Sequence, residues 1–333
     1  MDAAATLAAM GSAVARERAA VPDALRRLDP TSLASALERL GLASDDVAEA
    51  LGHWGDVVAS EEWTNLLAGM LARVERQRGQ IDEPIAVWED LDDAGPLGRL
   101  FYVYLVALAS EGTRAFLRRG GFDETDVARS LATFARHVSL HRRKHASLGV
   151  DAGWWMVPLL RGELVTIGSL QYHRVTLGIG SLAPRPWYDE AEVAGLGVGF
   201  APGDPSIGLH IPDGADLSPA AVDDSLERAR AIFERTWPVA QRRLVTCQSW
   251  MLDDRLGDWV GEGNLVAFQR RFTLVPGFEV GDDDVREFVF RPRGGDRPTA
   301  LQEVVTRELA SGHWRNRTGW LAWDVRECPG GSA

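Results

Sequence analysis

The chain of 333 residues is 45% hydrophobic and 25% charged, the makeup of a globular protein with room for one large domain or two ordinary ones. Its formal net charge of −12 argues against a partner held through nucleic-acid phosphates, while leaving room for a local basic cleft that takes a phosphorylated ligand. Two distant cysteines, Cys247 and Cys328, exclude a disulfide framework or a zinc knuckle built from cysteine alone and predict a reducing, cytoplasmic setting.

Helices dominate as far as about Thr125. Met1 to Ala20 has no basic leader ahead of an apolar block, so no secretory signal is expected. Pro30-Thr31-Ser32 opens a helix with Leu33, Ala36, Leu37 and Leu40 on its face, and Gly41 stops it. Ser44-Asp45-Asp46 starts a second, and Trp63, Leu66, Leu67, Met70, Leu71 and Val74 stripe a third. A short apolar patch (Ile85, Val87, Trp88) leads to an acidic turn at Glu89 to Asp93, and Gly95-Pro96 restarts helix over Leu97 to Leu117. The apolar run Leu100 to Ala109 is far shorter than the roughly 20 residues a bilayer span needs, so a buried helix and no membrane span are expected. A further helix begins at Asp123-Glu124-Thr125-Asp126, buries Val127, Leu131, Phe134 and Val138, and ends in Arg142-Arg143-Lys144-His145, where cations suit the helix dipole. His137, His141 and His145 recur every four residues along it. Such spacing can hold a metal; a solvated or dipole-matched face accounts for it better, and no metal is expected.

From Trp154 the pattern turns to strands. Trp155 to Leu160 and Leu164 to Tyr172 read as a hairpin around Arg161-Gly162-Glu163. The glycines of Gly195 to Gly199 read as a plain connection, since Pro202-Gly203-Asp204-Pro205 follows instead of a helix. Ser206 to Ile211 alternates as a strand. Ser218-Pro219 marks a helix start, with Val222, Leu226, Ala229, Ile232 and Phe233 on the buried face and Trp237-Pro238 at the end. Leu244 to Leu252 is the next strand, Asp253 to Trp259 a helical turn, Leu265 to Val275 a long strand and Phe288-Val289-Phe290 another. Thr299 to Ala310 is a final helix, and Trp314, Trp320 and Trp323 pack near the end.

The stretch Ser206 to Pro276 carries the chemistry, because polar side chains lie on strands that otherwise look buried, and an unpaired buried polar group costs about 1–3 kcal/mol. His210 ends its strand on the face opposite Ile207 and Leu209, placed either as a general base or as a donor to a turn carbonyl. Cys247 is a nucleophile if its thiol is activated, and otherwise a small buried hydrophobe. Ser249 and Asp253 are substrate contacts or turn caps. Gln269 and Arg271 share one face of the expected long strand, where an arginine can meet a phosphate or carboxylate through two parallel bonds, or simply lie at the surface. No Walker loop, G-x-S-x-G or H-E-x-x-H occurs.

Four ordered segments, Leu164 to Tyr172, His210 to Gly214, Cys247 to Asp253 and Asn264 to Phe272, resemble bacterial two-part acyltransferases with a helical N-terminal domain and a GNAT-like C-terminal domain. The resemblance implies an α/β (α+β) fold: a helical domain over 1–125, then over 126–330 a GNAT-like mixed sheet flanked by helices. It implies that the strands on either side of the Ser218 helix splay apart around an acyl-CoA arm, with the pyrophosphate at the helix N-terminus. On that footing Ile211, Gly214, Ser218 and Ser249 would bind the donor, His210, Asp253 and Cys247 would serve catalysis, and Gln171, Gln269 and Arg271 would meet substrate. The loop Asp213-Gly-Ala-Asp-Leu-Ser218 departs from the R/Q-x-x-G-x-G/A loop of typical GNAT enzymes. The expected activity is therefore acyl transfer from acyl-CoA, or from an acyl-carrier protein as partner, to a small-molecule amine or hydroxyl. A catalytically inactive binding module is the alternative, and a metal-dependent hydrolase built on the three histidines a third.

Overall fold

A computed structural model describes residues 3–14, 25, 29–81, 91–176, 204–237, 244–290 and 298–322. The patch around Trp88, the glycines 195–199, Trp323 and Cys328 lie outside these residues. The chain divides into two compact units, residues 1–165 with 181–184, and residues 166–180 with 185–333. The helix beginning at Glu124 thus stays with the first unit, although a boundary near 125 is what the sequence predicts.

The first unit is helical: α1 (Ala3–Val14), α2 (Pro30–Arg39), α3 (Ser44–Ala59), α4 (Glu61–Gln77), α5 (Gly95–Arg119), α6 (Glu124–His145) and the short α7 (Met156–Leu160). Local chemistry sets the ends. Asp29, Ser60 and Asp123 each accept a hydrogen bond from a first-turn amide of the helix that follows. Helix α5 is long and apolar enough to cross a membrane by length and composition, yet most of it is buried, as the central helix of this unit. Leu100, Phe101, Val103, Leu105 and Val106 are all buried, each contributing on the order of 1.5–3 kcal/mol relative to exposure.

The predicted strand Trp155 to Leu160 is instead a 3-10 turn running into α7. All five residues of α7 are buried, and so short an apolar run reads alike as a strand or as a buried helix. Arg161-Gly162-Glu163 is accordingly not a hairpin tip. Gly79 N donates to Arg161 O (2.8 Å), Arg161 and Glu163 form a buried ion pair (2.8 Å), and a Cβ at Gly162 would fall 2.5 Å from the Phe116 ring.

The second unit carries most of a seven-stranded sheet, with strands β1 (Leu164–Ile167), β2 (Leu170–Thr176), β3 (Pro205–His210), β4 (Leu244–Ser249), β5 (Thr273–Leu274), β6 (Glu279–Val280) and β7 (Arg315–Ala322). The order is β1-β2-β3-β4-β7-β5, with β6 also on β7. The β3–β4 pair is parallel, joined through helix α8 (Pro219–Thr236), whereas β2–β3 and β4–β7 are antiparallel. The real hairpin here is β1–β2, turned at Gly168 (φ +59), where a Cβ would meet Ser225 Cβ at 2.8 Å.

Two further strand expectations fail. Residues 264–269 form helix α10 (Asn264–Gln269), preceded by α9 (Leu256–Val260), and only Thr273–Leu274 of the long strand is extended. Phe288 and Val289 close helix α11 (Asp282–Val289), with Val285 and Val289 buried one turn apart. Helix α12 (Ala300–Ser311) matches expectation, with a capping box between Thr299 and Gln302. Trp314 is buried between Trp250 and Trp259, and its Nε1 donates to Trp250 O (2.8 Å).

Candidate active site

Strand register gathers a set of polar side chains of the second unit on one face. Residues paired across neighbouring strands point the same way, and neighbours along a strand alternate. The pairs Gln171–His210, His173–Gly208, Gly208–Thr246, Thr246–Trp320 and Gln248–Thr318 therefore put Gln171, His173, Ser206, His210, Thr246, Gln248 and Thr318 on a single face. Gln171, His173, Ser206, Thr246 and Thr318 are buried. Ser206 Oγ has no hydrogen-bond partner among the described residues, and a buried hydroxyl of that kind marks a place where water or a ligand completes the pairing.

The other face is covered by α8. Tyr172 OH meets Ser225 Oγ (2.8 Å), the rings of Tyr172 and Phe233 are 5.5 Å apart, and Arg174 lies over Trp237 at 5.1 Å. Cys247 belongs to this covered face, with Val245 and Ile207. It is 1% exposed, and burial pushes its thiol up to about 12, which leaves essentially no thiolate at neutral pH. His210 and Cys247 thus sit on opposite faces of the sheet.

Between β3 and β4 only Ile207–Val245 and Gly208–Thr246 are in register. Both strands run on. Leu209 and His210 stay paired with β2, and Cys247, Gln248 and Ser249 stay paired with β7. The C-terminal ends of the two parallel strands therefore part, and His210 stands at the parting. Its ring lies 5.6 Å from that of His173, and burial pushes its pKa down to about 4, so it is neutral at physiological pH. Gln171 is its direct register partner and donates to Thr166 Oγ1 (3.2 Å).

The loop from β3 to α8 carries Ile211, Gly214 and Ser218. Gly214 adopts φ +75, inside a turn closed by Ala215 N donating to Pro212 O (3.0 Å). Ser218 occupies the N-cap position of α8 without a side-chain cap bond, and its own N–H donates to Asp216 Oδ1 (2.8 Å), which holds the Asp216 carboxyl below its usual range. Arg271 reaches the first turn of α8, donating to Asp223 Oδ1 (2.5 Å) and Pro219 O (3.3 Å). Its Nε is buried with no partner among the described residues. Arg271 thus arrives beside a helix N-terminus from the connection after α10 rather than from a strand.

The other expected site residues are held by structural bonds. Asp253 is wholly buried. Its Oδ1 accepts from Arg255 N (3.0 Å) and Nε (2.9 Å), and its Oδ2 from Arg255 Nη2 (2.6 Å) and Arg315 N (2.8 Å). Gln269 donates to Asp253 O, and Ser249 Oγ accepts from Met251 N (3.1 Å). Sequence reasoning missed His173. Its alternation with Gln171 along β2 was the available signal, and the long-range pairing of β2 with β3 gives that signal meaning.

Residues 31–162 match the N-acyltransferase N-terminal domain model, and residues 164–321 match the GNAT-like C-terminal domain model. Similar solved structures include an acyltransferase in complex with decanoyl-CoA (28% identity, 86% of each chain covered, TM-score 0.70) and a mutant acyltransferase in complex with octanoyl-CoA (27%, 86% of each chain, TM-score 0.72). A third is an acyltransferase in complex with decanoyl-CoA and teicoplanin (27%, 87% of each chain, TM-score 0.70). No curated protein sequence matches the chain.

Proposed function

We propose, for a chain that belongs with the acyltransferases joining an N-acyltransferase N-terminal domain to a GNAT-like C-terminal domain, that it moves a medium-length acyl group from acyl-CoA to an amine or hydroxyl of a small-molecule acceptor in the cytoplasm. The observation that carries this reading is the parting of β3 and β4 beyond Gly208 and Thr246, which leaves a slot of strand backbone beside His210. The acyl length follows the decanoyl and octanoyl thioesters held by the similar structures, and the small-molecule acceptor follows the teicoplanin held by one of them.

In this mechanism the thioester carbonyl lies at the parting, where backbone amides freed from strand pairing can donate to the developing oxyanion. The acceptor nitrogen or oxygen attacks the carbonyl carbon. His210, half-buried and kept neutral by desolvation, takes the acceptor's proton as the new bond forms. The C–S bond breaks, and the proton passes to the departing sulfur, giving free CoA. A base with so low a pKa cannot strip a free ammonium, so the acceptor amine must arrive neutral. Arg271, with the unpaired first-turn amides of α8, would face the pyrophosphate. Asp253 is assigned a structural part, because donors already occupy both of its oxygens.

The carboxylates of Asp213 and Asp216 in the β3–α8 loop favour a second reading, in which the donor is an acyl-carrier protein or the module binds without turnover. Thermal unfolding with decanoyl-CoA, followed by mass spectrometry of an acceptor reaction, separates the readings. A raised midpoint and an acylated product with free CoA are expected. No stabilisation by any acyl-CoA well above micromolar concentration favours the second reading.

A further inference from the structure

The helical unit holds a second convergence of reactive groups. His141 is buried in the penultimate position of the histidine row on α6. Its Nδ1 lies 3.0 Å from Ser147 O, and its Nε2 lies 3.0 Å from Asp92 Oδ2. A carbonyl oxygen only accepts, so Nδ1 carries a proton there. Nε2 then either carries a second proton or turns its lone pair on a carboxylate oxygen, which is unfavourable unless something positive stands between them. His145, one turn along, adds a third ligand atom. The ligand atoms of the three residues lie within 4.8 Å of one another, and the two imidazole rings are 4.6 Å apart. A second proton satisfies Asp92 and His141 alone, whereas a cation at the centre engages all three.

We propose that Asp92, His141 and His145 bind one divalent transition-metal cation of the zinc type. Two imidazoles one helical turn apart and a carboxylate from a distant segment suit zinc, nickel or copper far better than magnesium or calcium. The Nδ1–carbonyl bond is the outer-shell support that orients a ligating imidazole. Gly149 completes that support. A Cβ there would fall 2.4 Å from His141 Cε1, so the ring is seated against bare backbone. His137, whose Nδ1 is 2.6 Å from Asp151 O, is not among the residues whose ligand atoms converge. Lys144 is drawn aside by Asp151 (2.8 Å), which keeps its charge engaged there. The cation would staple the turn that enters α5 to the end of α6. Asp92 and His145 are exposed, so water reaches the remaining coordination positions.

The test is calorimetric titration of the full-length, chelator-stripped protein with zinc chloride at neutral pH, paired with thermal unfolding. Binding of one equivalent and a raised midpoint are expected. Asp92→Asn and His145→Ala alter exposed positions and spare the buried His141. Each is expected to weaken binding by more than about tenfold, since even outer-shell losses cost 10–100-fold, and to leave acyl transfer unchanged. Failure of the wild type to bind an equivalent, or unchanged affinity in both variants, overturns the site.

Discussion

Strand β4 has two edges that behave differently. Toward β7 it is in register along its whole length, Leu244 to Ser249, while toward β3 the register ends at Thr246. The gap is not a weakness of either strand, because β3 is held over its length by β2 and β4 by β7. Backbone groups left without a strand partner cost free energy unless water or a ligand takes them. A gap maintained by two well-paired flanks is therefore a place built to be filled. The closed edge should be sensitive in folding, and the open edge in turnover.

The sharpest break of that contrast is His210→Gln, expected to lower turnover by about 10²–10⁴-fold in a steady-state acyl-transfer assay, with little change in the unfolding midpoint. Equal loss of both would make His210 structural. Gly319→Ala probes the closed edge. Its Cβ would meet Phe272 Cβ at 2.8 Å and Leu252 Cδ1 at 3.1 Å, so denaturant unfolding should show a loss of about 1–3 kcal/mol with turnover of the folded fraction retained. Arg271→Ala should raise the KM for acyl-CoA by about tenfold at low salt, less at high salt, with kcat kept, as expected for one charge-assisted contact. The smallest effect belongs to Cys247→Ala. On the covered face, and with its thiol held protonated, Cys247 should be dispensable for turnover and slow to alkylate in the native protein.

A pH series separates the two edges by another route. Folded His210 has its pKa lowered to about 4 from an ordinary 6.5. Between those values the unfolded chain binds more protons, so stability should fall as pH drops from about 6.5 towards 4 and be indifferent to this group above that window. In urea melts, His210→Gln should flatten that slope, and an unchanged slope would remove His210 as its source.

Much of this arrangement was legible in the residues, and the exceptions have physical causes. Capping residues and apolar stripes placed the helices of the first unit, because those signals are local. The strand–helix–strand order around Ser218-Pro219 was legible for the same reason. Residues 156–160, 265–269 and 288–290 were not, since short apolar runs carry no period and burial alone fits either form. Strand β7 was invisible because Arg315 and Arg317 sit where an apolar face would be expected; both pair with Asp254. The histidine row was visible, but its partner was not. Each step of four residues turns a helix about 40° past a full turn, so the ends of an i, i+4, i+8 row diverge by about 80°. Only two of the three can converge, and the third ligand, Asp92, lies far away in the sequence.

On the proposed mechanism, the parting of β3 and β4 receives the thioester. A crystal structure with a non-hydrolysable decanoyl-CoA thioether would show where the acyl chain lies. The reacting carbon should lie between Leu209–His210 and Cys247–Ser249, with the pyrophosphate near Arg271 and the first turn of α8. A complex in which those strands zip together and the acyl chain lies elsewhere would contradict that mechanism.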